Sequence, residues 1–148
     1  MELPQCSCSS LRSATRALSL AFDDALRPSG LRVTQFAILS GLAVIGELPL
    51  STLADLMVMD RTTLGRNLKP LQRDELVDIN IGTDRRERLV SITPGGRKTF
   101  MRAMPLWEDV QRRFEKKVGK REAKELRDKM VTLVNVGRQL AEENQKAG

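Results

Sequence analysis

The chain has 148 residues, 41% of them hydrophobic and 30% charged, which is the size and balance of one folded unit with helical extensions. Its net charge of +6 favours a polyanionic partner, either nucleic acid or an anionic membrane. The sequence contains no histidine and two cysteines, Cys6 and Cys8, so it lacks both the base of a hydrolase triad and the roughly four ligands of a zinc site.

Other patterns of catalysis and membrane insertion are also missing. No glycine-rich phosphate loop precedes a lysine, and the acidic residues are scattered among basic ones. No apolar run approaches the ~18 residues of a spanning helix, and Arg12 and Arg16 interrupt the apolar segment near the N-terminus. We therefore expect a protein that is not an enzyme and has no cofactor, metal or membrane partner. Because two cysteines beside one terminus do not form a disulfide framework, we expect it in the reducing cytoplasm.

Helical periodicity dominates the first half of the chain. Apolar residues recur three or four positions apart, and prolines and glycines interrupt this pattern at Pro28, Gly30, Gly46 and Pro49. The pattern predicts helices over residues 9–26, 34–44, 50–57 and 61–73.

The fourth predicted helix has two chemically different faces. Asp60 precedes it as an N-cap, whose carboxylate can accept a backbone N–H of the first turn. Leu64, Leu68 and Leu71 form one apolar stripe, and Pro70 is expected near the helix end because it removes a backbone hydrogen bond. The outward face carries the candidate contact residues Arg61, Thr62, Thr63, Arg66, Asn67 and Lys69.

The period changes from helical to alternating after residue 76. Residues 77–81 and 89–92 are rich in β-branched residues and predict two strands, joined by a charged loop at residues 82–87. Several arginines in one turn repel each other unless an anion compensates, and we expect Asp84 to hold one arginine side chain extended. The candidate contact residues of this hairpin are Asp84, Arg85, Arg86 and Arg88.

The C-terminal third of the chain predicts two long helices. Thr93 caps the first of them, Pro94 occupies its first position, and an apolar stripe continues to Gly119 with a kink expected at Pro105. The second helix spans residues 121–143. A lone pair of such helices cannot bury both of its apolar faces, which favours a further partner.

The order of elements between residues 50 and 92 indicates a nucleic-acid-binding unit. A short helix, a tight turn and a basic amphipathic helix match the helix-turn-helix arrangement, which places its second helix in the major groove. There arginine can pair with guanine, asparagine with adenine, and threonine with a thymine methyl group or a phosphate. The arginines of the hairpin suit the negative potential of a narrow minor groove. The alternatives are a solvated surface helix and a solvated hairpin.

The stretches "DRTTLGRNLKPL", "ELVDI", "DRRERLVSIT" and "PGGR" resemble the MarR family of winged helix-turn-helix transcription regulators. The family's wing motif is Asp-x-Arg, then a strand and Thr-x-x-Gly-Arg, and it matches Asp84, Arg86, Thr93, Gly96 and Arg97. The resemblance covers nearly the whole chain. It implies wing contacts to DNA at Asp84 and Arg86, and recognition-helix contacts at Thr62, Thr63 and Arg66.

The resemblance also implies a fold and an assembly. The expected fold is mainly α with a small β-wing, a winged helix-turn-helix with N- and C-terminal dimerisation helices. The implied domains are an N-terminal dimerisation helix (1–32), a DNA-binding domain (33–97) and C-terminal dimerisation helices (98–148). Twofold symmetry would set two recognition helices about 34 Å apart on a pseudo-palindrome.

Two positions depart from the family pattern. Glu75 stands where the family usually has a glycine that ends the recognition helix in a left-handed conformation. Asp74 or Glu75 must therefore adopt that conformation or avoid it. Pro70 is unusual within a recognition helix, so both departures concern the path of residues 70–76.

The expected function is that of a sequence-specific, ligand-responsive repressor that binds double-stranded DNA as a homodimer. The expected effector is a small aromatic or amphipathic acid between the dimerisation helices and the winged domain, in a crevice lined by Arg16, Leu18, Phe22, Phe36, Leu39 and Met104. The alternatives are an architectural DNA-binding protein of low specificity and a regulator that senses oxidants through Cys6 and Cys8. A winged domain used only for protein contact would carry an apolar or acidic wing, and this wing is neither.

Overall fold

The structure, a computed structural model, describes residues 5–148 in two compact units, residues 5–110 and Gln111–Gly148. The predicted helices and strands are all present, with ends that shift by up to four residues. In chain order the elements are α1 (Ser7–Leu26), a 3₁₀ turn (Arg27–Ser29), α2 (Val33–Ile45), β1 (Leu48–Pro49), α3 (Leu50–Leu56), α4 (Arg61–Arg73), β2 (Val77–Ile81), β3 (Arg88–Ile92), α5 (Pro94–Val118) and α6 (Lys120–Ala147).

Three antiparallel strands form one small sheet in the order β1-β3-β2. Strands β2 and β3 make the predicted hairpin, in which Val77 lies opposite Ile92 and Ile81 lies opposite Arg88. Arg88 therefore begins β3 and does not belong to the loop, because its backbone is paired with the neighbouring strand. Strand β1, which pairs with β3, is absent from the sequence prediction because two residues are too few to show alternation.

The hydrophobic core of the first unit joins α2, α3, α4 and the sheet. Burying one such aliphatic side chain contributes about 1.5–3 kcal/mol to folding. Because the leucine stripe of α4 faces this core, as its spacing predicts, the polar face of α4 must point outward. The largest fully buried side chains are Leu26, at the end of α1, and Ile38, Leu39, Leu42, Leu53, Leu64, Leu68, Leu71, Val77 and Val90.

Helices α3 and α4 end in the same hydrogen-bonded motif. The backbone N–H of the third residue past each helix donates to a carbonyl of the last turn, at 2.9 Å after α3 and 2.8 Å after α4. The motif needs a left-handed residue, which is Val58 after α3 (φ 53°) and Glu75 after α4 (φ 58°). Glu75 thus adopts the conformation for which the family uses glycine. Val58, which is β-branched, bears strain on the order of 1–3 kcal/mol.

The start of α5 is tied to the end of α4 through Thr93. Its hydroxyl group donates to the carbonyl oxygen of Glu75 at 2.7 Å and accepts the N–H of Gly96 at 2.8 Å. A Cβ atom on Gly96 would collide with the carbonyl oxygen of Leu76 and lie 2.9 Å from Cγ1 of Ile92. The Thr-x-x-Gly pattern therefore has a packing reason, because it closes the base of the hairpin against α5.

The second unit consists of the end of α5 and helix α6. Gly119 separates the two helices with φ 103°, and Arg127 Nη1 forms an ion pair with Glu115 Oε1 at 3.2 Å. Helix α6 leaves a set of apolar side chains exposed, namely Leu126, Val131, Val136 and Leu140. These side chains have no cover within their own unit.

Two features of the helices complete the fold. Pro105 lies inside α5, and the helix continues through it from Pro94 to Val118. Within residues 5–148, no single helix is long and apolar enough to cross a membrane. The bent pair formed by Ser7–Ser29 and Val33–Ile45 meets the criteria of length and composition when its two helices are taken together.

Candidate nucleic-acid interface

The N-terminus of α4 is fixed by the carboxylate of Asp60. Its Oδ1 atom accepts the backbone N–H of Thr63 at 2.7 Å, as predicted for an N-cap. Hydrogen bonds from the N–H and then the hydroxyl group of Thr63, followed by the positive charge of Arg66, lower the pKa of Asp60. Asp60 is therefore ionised at neutral pH, and it engages the Thr63 hydroxyl group that could otherwise face a ligand.

The exposed face of α4 is the main candidate surface. Arg61, Thr62, Arg66 and Lys69 are exposed along it, on the side opposite the buried leucines. Because the leucine face is locked in the core, these side chains extend from a helix whose orientation is set. A basic, exposed helix mounted in this way can enter the major groove of DNA.

Asn67 is hydrogen-bonded to its own helix. It is half-buried, and its Nδ2 atom donates to the carbonyl oxygen of Thr63 at 2.9 Å. The same atom lies 4.0 Å from the sulfur of Met59. The amide group is thus turned back onto its own helix, so pairing with adenine would first require it to rotate outward.

Asp84 organises the backbone of the wing and does not hold an arginine side chain, so the predicted pairing is wrong. Its Oδ1 atom accepts the backbone N–H of Arg86 at 3.0 Å, and its carbonyl oxygen accepts the N–H of Glu87 at 2.9 Å. The N–H of Gly82 donates to Glu87 across the base of the turn at 2.9 Å. The side chains of Arg85 and Arg86 are left exposed. The arginine of the wing motif therefore extends from an ordered turn.

Arg88 also stabilises the backbone of the wing turn. From the first position of β3, its Nη1 atom donates to the carbonyl oxygens of Arg85 at 2.9 Å and Glu87 at 3.3 Å. The guanidinium group is therefore bound partly to the turn itself. No pattern in the sequence could indicate this bond, because both acceptors are backbone atoms.

The structure brings three of the predicted contact residues to one small cavity. Arg61 reaches it from α4, and Arg86 and Arg88 reach it from the wing. The cavity is completed by Pro49, Leu50, Ser51 and Glu87. The two halves of the candidate surface, helix and wing, therefore meet at a basic cleft.

The predicted effector residues do not share one environment. Leu39 is fully buried in the core, and Phe36 stacks on Trp107 and packs against Phe100, with ring centroids 5.7 and 5.2 Å apart. Arg16 is exposed, and its guanidinium group donates to Ser13. Leu39 thus offers no surface to a ligand in this conformation, whereas Leu18, Phe22 and Met104 stay predictions, since they are at least partly exposed.

A polar crevice lies between the end of α1, the start of α2 and helix α4, and the sequence does not predict it. Asp23 Oδ1 accepts the N–H of Val33 there at 2.8 Å, and Arg73 pairs with Asp74 at 3.3 Å. The remaining basic side chains of the crevice are Arg32 and Arg66. It is lined by Ser19, Asp23, Gly30, Arg32, Val33, Thr34, Gln35, Arg66, Asn67, Pro70, Arg73 and Asp74. Residues so distant in sequence give no local pattern, which is why the crevice appears only in the fold.

The two cysteines lie at the start of α1. Cys6 is the residue that precedes the helix, Cys8 lies in its first turn, and both are exposed free thiols. Hydrogen bonds from the hydroxyl group and backbone of Ser9 lower the pKa of Cys6, and the backbone N–H of Cys8 adds to this effect. Among residues 5–148, no group of His, Cys, Asp and Glu side chains could hold a metal ion.

Solved structures resemble this chain over nearly its whole length. The transcriptional regulator MosR of M. tuberculosis, in complex with DNA, is 36% identical; the match covers 91% of this chain and 98% of that one, with a TM-score of 0.82. NadR in complex with 4-hydroxyphenylacetate is 23% identical, covering 90% and 96%, with a TM-score of 0.72. AbsC, a MarR family transcriptional regulator from Streptomyces coelicolor, is 21% identical, covering 94% and 99%, with a TM-score of 0.76.

These comparisons carry different weight. At identities below 25%, the likeness to NadR and AbsC shows the fold alone. Neither a model of any protein family nor any curated protein matches the chain. The winged-helix fold predicted from the sequence is confirmed. The match to MosR, at 36% identity, covers almost all of both chains. The chain belongs to the MarR family of winged helix-turn-helix transcription regulators.

Proposed function

We propose that this protein is a sequence-specific transcription repressor that binds duplex DNA as a homodimer in the cytoplasm. The observation that carries the proposal is the basic face of α4, locked by its buried leucines and by Asp60, beside a wing with exposed arginines. MosR, the 36% identical relative, has been solved in complex with DNA. A repressor of this kind acts by occupying a promoter.

The helix and the wing have separate tasks in this proposal. Arg66 and Thr62 are exposed on α4 and read base edges in the major groove, where arginine recognises guanine. Thr63 and Asn67 keep the helix in order through the contacts that they already make. Arg85 and Arg86 extend from the wing toward the minor groove, whose negative potential attracts arginine.

The proposed dimer uses the terminal helices. Helix α1 exposes Leu18 and Leu20, and helix α6 exposes Val131 and Leu140 among other apolar side chains. Apolar surface of this extent favours a partner subunit. The proposed division is residues 1–32 and 98–148 for dimerisation and residues 33–97 for DNA binding. Removal of residues 121–148 should yield a monomer or an aggregate in analytical ultracentrifugation, and a truncated chain that stays dimeric would contradict this interface.

A small anionic effector is the proposed signal, and the polar crevice is its proposed site. Arg66 belongs both to the exposed face of α4 and to the crevice, so a carboxylate bound there competes with DNA for the same guanidinium group. Val33 and Pro70 offer a small apolar wall for the rest of an aromatic or amphipathic acid. NadR, a neighbour in fold, has been solved with such an acid. Release of DNA on titration with candidate acids, abolished by Arg32→Ala, is the expected result.

An oxidant is the alternative signal, and the lowered pKa of Cys6 is the observation that favours it. The thiolate attacks peroxide and becomes a sulfenic acid, and the thiol of Cys8 then displaces water to form a disulfide. One peroxide molecule accepts two electrons and leaves as two molecules of water. If peroxide releases DNA from the wild type and not from the Cys6→Ser/Cys8→Ser variant, the thiol switch replaces the ligand as the signal.

The rival function within DNA binding is an architectural protein of low specificity. The two functions predict different affinities for a selected site and for scrambled DNA of the same length. A repressor of this type should prefer its site by at least roughly 10³-fold at physiological salt. Titration of both duplexes with the wild-type protein therefore tests the proposal, and equal affinity would favour the architectural role.

A further inference from the structure

The cleft between α4 and the wing has the size of a site for one small group. Its cavity volume is ≈ 50 Å³, far below the ≈ 300–1,000 Å³ of pockets that hold small molecules. Pro49 pairs with Leu89 in the sheet, and this pairing brings the start of α3 against the base of the wing. Arg61, the first residue of α4, closes the remaining side. Three separate segments of the chain therefore create the cleft.

The charges around the cleft favour an anion. Arg61, Arg86 and Arg88 line it together with a single carboxylate, that of Glu87. Guanidinium groups that line one cleft repel each other, and a negative group between them offsets that repulsion. The hydroxyl group of Ser51 adds a neutral hydrogen-bond donor. Arginine forks match the oxygens of a phosphate group, so phosphate is the chemistry that fits best.

The cleft is ordered before any ligand arrives. Arg88 is held by its bonds to the carbonyl oxygens of Arg85 and Glu87, and the backbone of Arg86 is held by Asp84. Arg61 is carried by a helix whose leucines are fully buried. The guanidinium group of Arg88 is fixed in advance and loses little entropy on binding, which strengthens a contact of given geometry.

We propose that this cleft is a phosphate clamp, in which Arg61 and Arg88 hold one backbone phosphate of duplex DNA at the edge from which Arg86 extends toward the minor groove. The inference rests on the proposed function, since it assumes that DNA is the partner. Arg61 is then a positioning residue, which sets α4 and the wing in register on one DNA strand and reads no base. The clamp assigns Ser51, at the start of α3, to the same contact.

The clamp predicts a uniform effect of Arg61 on binding. Affinities for a selected duplex and a scrambled duplex are measured at several salt concentrations with the wild type, Arg61→Ala and Arg61→Lys. Because each subunit of the dimer carries one clamp, Arg61→Ala should weaken binding to both duplexes by the same factor and reduce the slope of log K against log salt by about 1.8, which is about 0.9 for each subunit. Arg61→Lys should keep that slope, because it keeps the charge. Arg73→Ala, which removes an exposed arginine from the last turn of α4, is the matched control and should change neither quantity.

Two further arms locate the phosphate group and its source. Replacing single phosphates of the duplex with neutral methylphosphonates should find one position in each half-site that weakens the wild type more than it weakens Arg61→Ala. Inorganic phosphate, added without DNA, should raise the melting temperature of the wild type by no more than it raises that of Arg61→Ala. If it raises that of the wild type by more while the salt slopes of the two proteins are equal, the cleft serves a free anion and the clamp is wrong.

The remaining outcomes distinguish a failure of the clamp from a failure of the proposed DNA-binding function. A loss confined to the selected duplex, with an unchanged salt slope, would make Arg61 a base reader and would overturn the clamp alone. A wild-type protein that binds neither duplex at low salt would overturn the proposed DNA-binding function itself.

Discussion

Helix α4 and the wing carry the same kind of charge but are held in place in different ways. The helix is fixed from below by three fully buried leucines, so its outward face is a consequence of the core. The wing has no comparable packing at its tip and is held by hydrogen bonds that Asp84 and Arg88 make to its backbone. A change beneath α4 should therefore affect folding and binding together, whereas a change in the wing should affect binding alone.

The largest expected effect comes from the core beneath the helix. Leu68→Ala removes a buried side chain and should lower the free energy of unfolding by about 2–5 kcal/mol. The neighbouring Lys69→Ala is the matched control, since Lys69 is exposed and its loss should change stability by less than about 0.5 kcal/mol. Urea denaturation measures both values. Equal stabilities of the two variants would mean that α4 is not mounted on the core as described.

The next effect isolates the wing. Arg86→Ala should weaken binding to the selected DNA site by about 1–3 kcal/mol, the range for a specific side-chain contact. Its free energy of unfolding should stay unchanged, because the Arg86 side chain is exposed. Titration of DNA and urea denaturation are compared on the same preparations. A folded variant with full affinity would remove Arg86 from the interface.

A smaller effect tests what orders the wing. Asp84→Ala removes the acceptor for the N–H of Arg86 and should cost about 1 kcal/mol of DNA affinity, the net value of one hydrogen bond. Asp84→Asn should bind DNA at least as tightly as the wild type, because its amide oxygen accepts the same bond and a negative charge is lost. If the carboxylate instead paired with a guanidinium group, Asp84→Asn would fail like Asp84→Ala.

The smallest effect concerns the cap of α4 and depends on pH. The bonds from Thr63 lower the pKa of Asp60 in the folded state, so the stability that they add is complete above the unfolded value of about 3.9. That stability is lost as the pH falls through the lower folded pKa. Asp60→Asn keeps a good N-cap without this titration, so its urea midpoint should fall less steeply than that of the wild type below about pH 4. If the urea midpoints of the two proteins change with pH in parallel, the titration of Asp60 does not contribute to stability.

The sequence predicts the bounds of an element well where a periodic apolar pattern is followed or preceded by a capping residue. The bounds of α4, residues 61–73, agree with the prediction because the leucine spacing and the Asp60 cap are both local. The left-handed conformation of Glu75 follows from the family's glycine at the same place. Strand β1 cannot be predicted from the sequence, since two residues show no period and their pairing with β3 depends on the folded chain.

The candidate site was harder to predict than the fold, because side-chain roles depend on backbone atoms that the sequence does not display. The family resemblance predicts Asp84 as a DNA contact and positive charge predicts Arg88 as one, yet both also bind the turn. Asn67 turns its amide group onto Thr63 for a similar reason, since a free carbonyl of the helix lies one turn away. Residue types therefore predict the surface in outline, but they do not divide it into structural and contacting groups.

The central claim, that α4 and the wing read one defined site as part of a symmetric dimer, is tested most directly by hydroxyl-radical footprinting on genomic DNA fragments. The account predicts discrete protection of two half-sites whose centres lie about 34 Å apart, one turn of the double helix, related by a pseudo-twofold axis. Arg66→Ala should weaken this footprint more than it weakens binding to scrambled DNA. Uniform protection along every fragment, with no half-sites, would contradict the account.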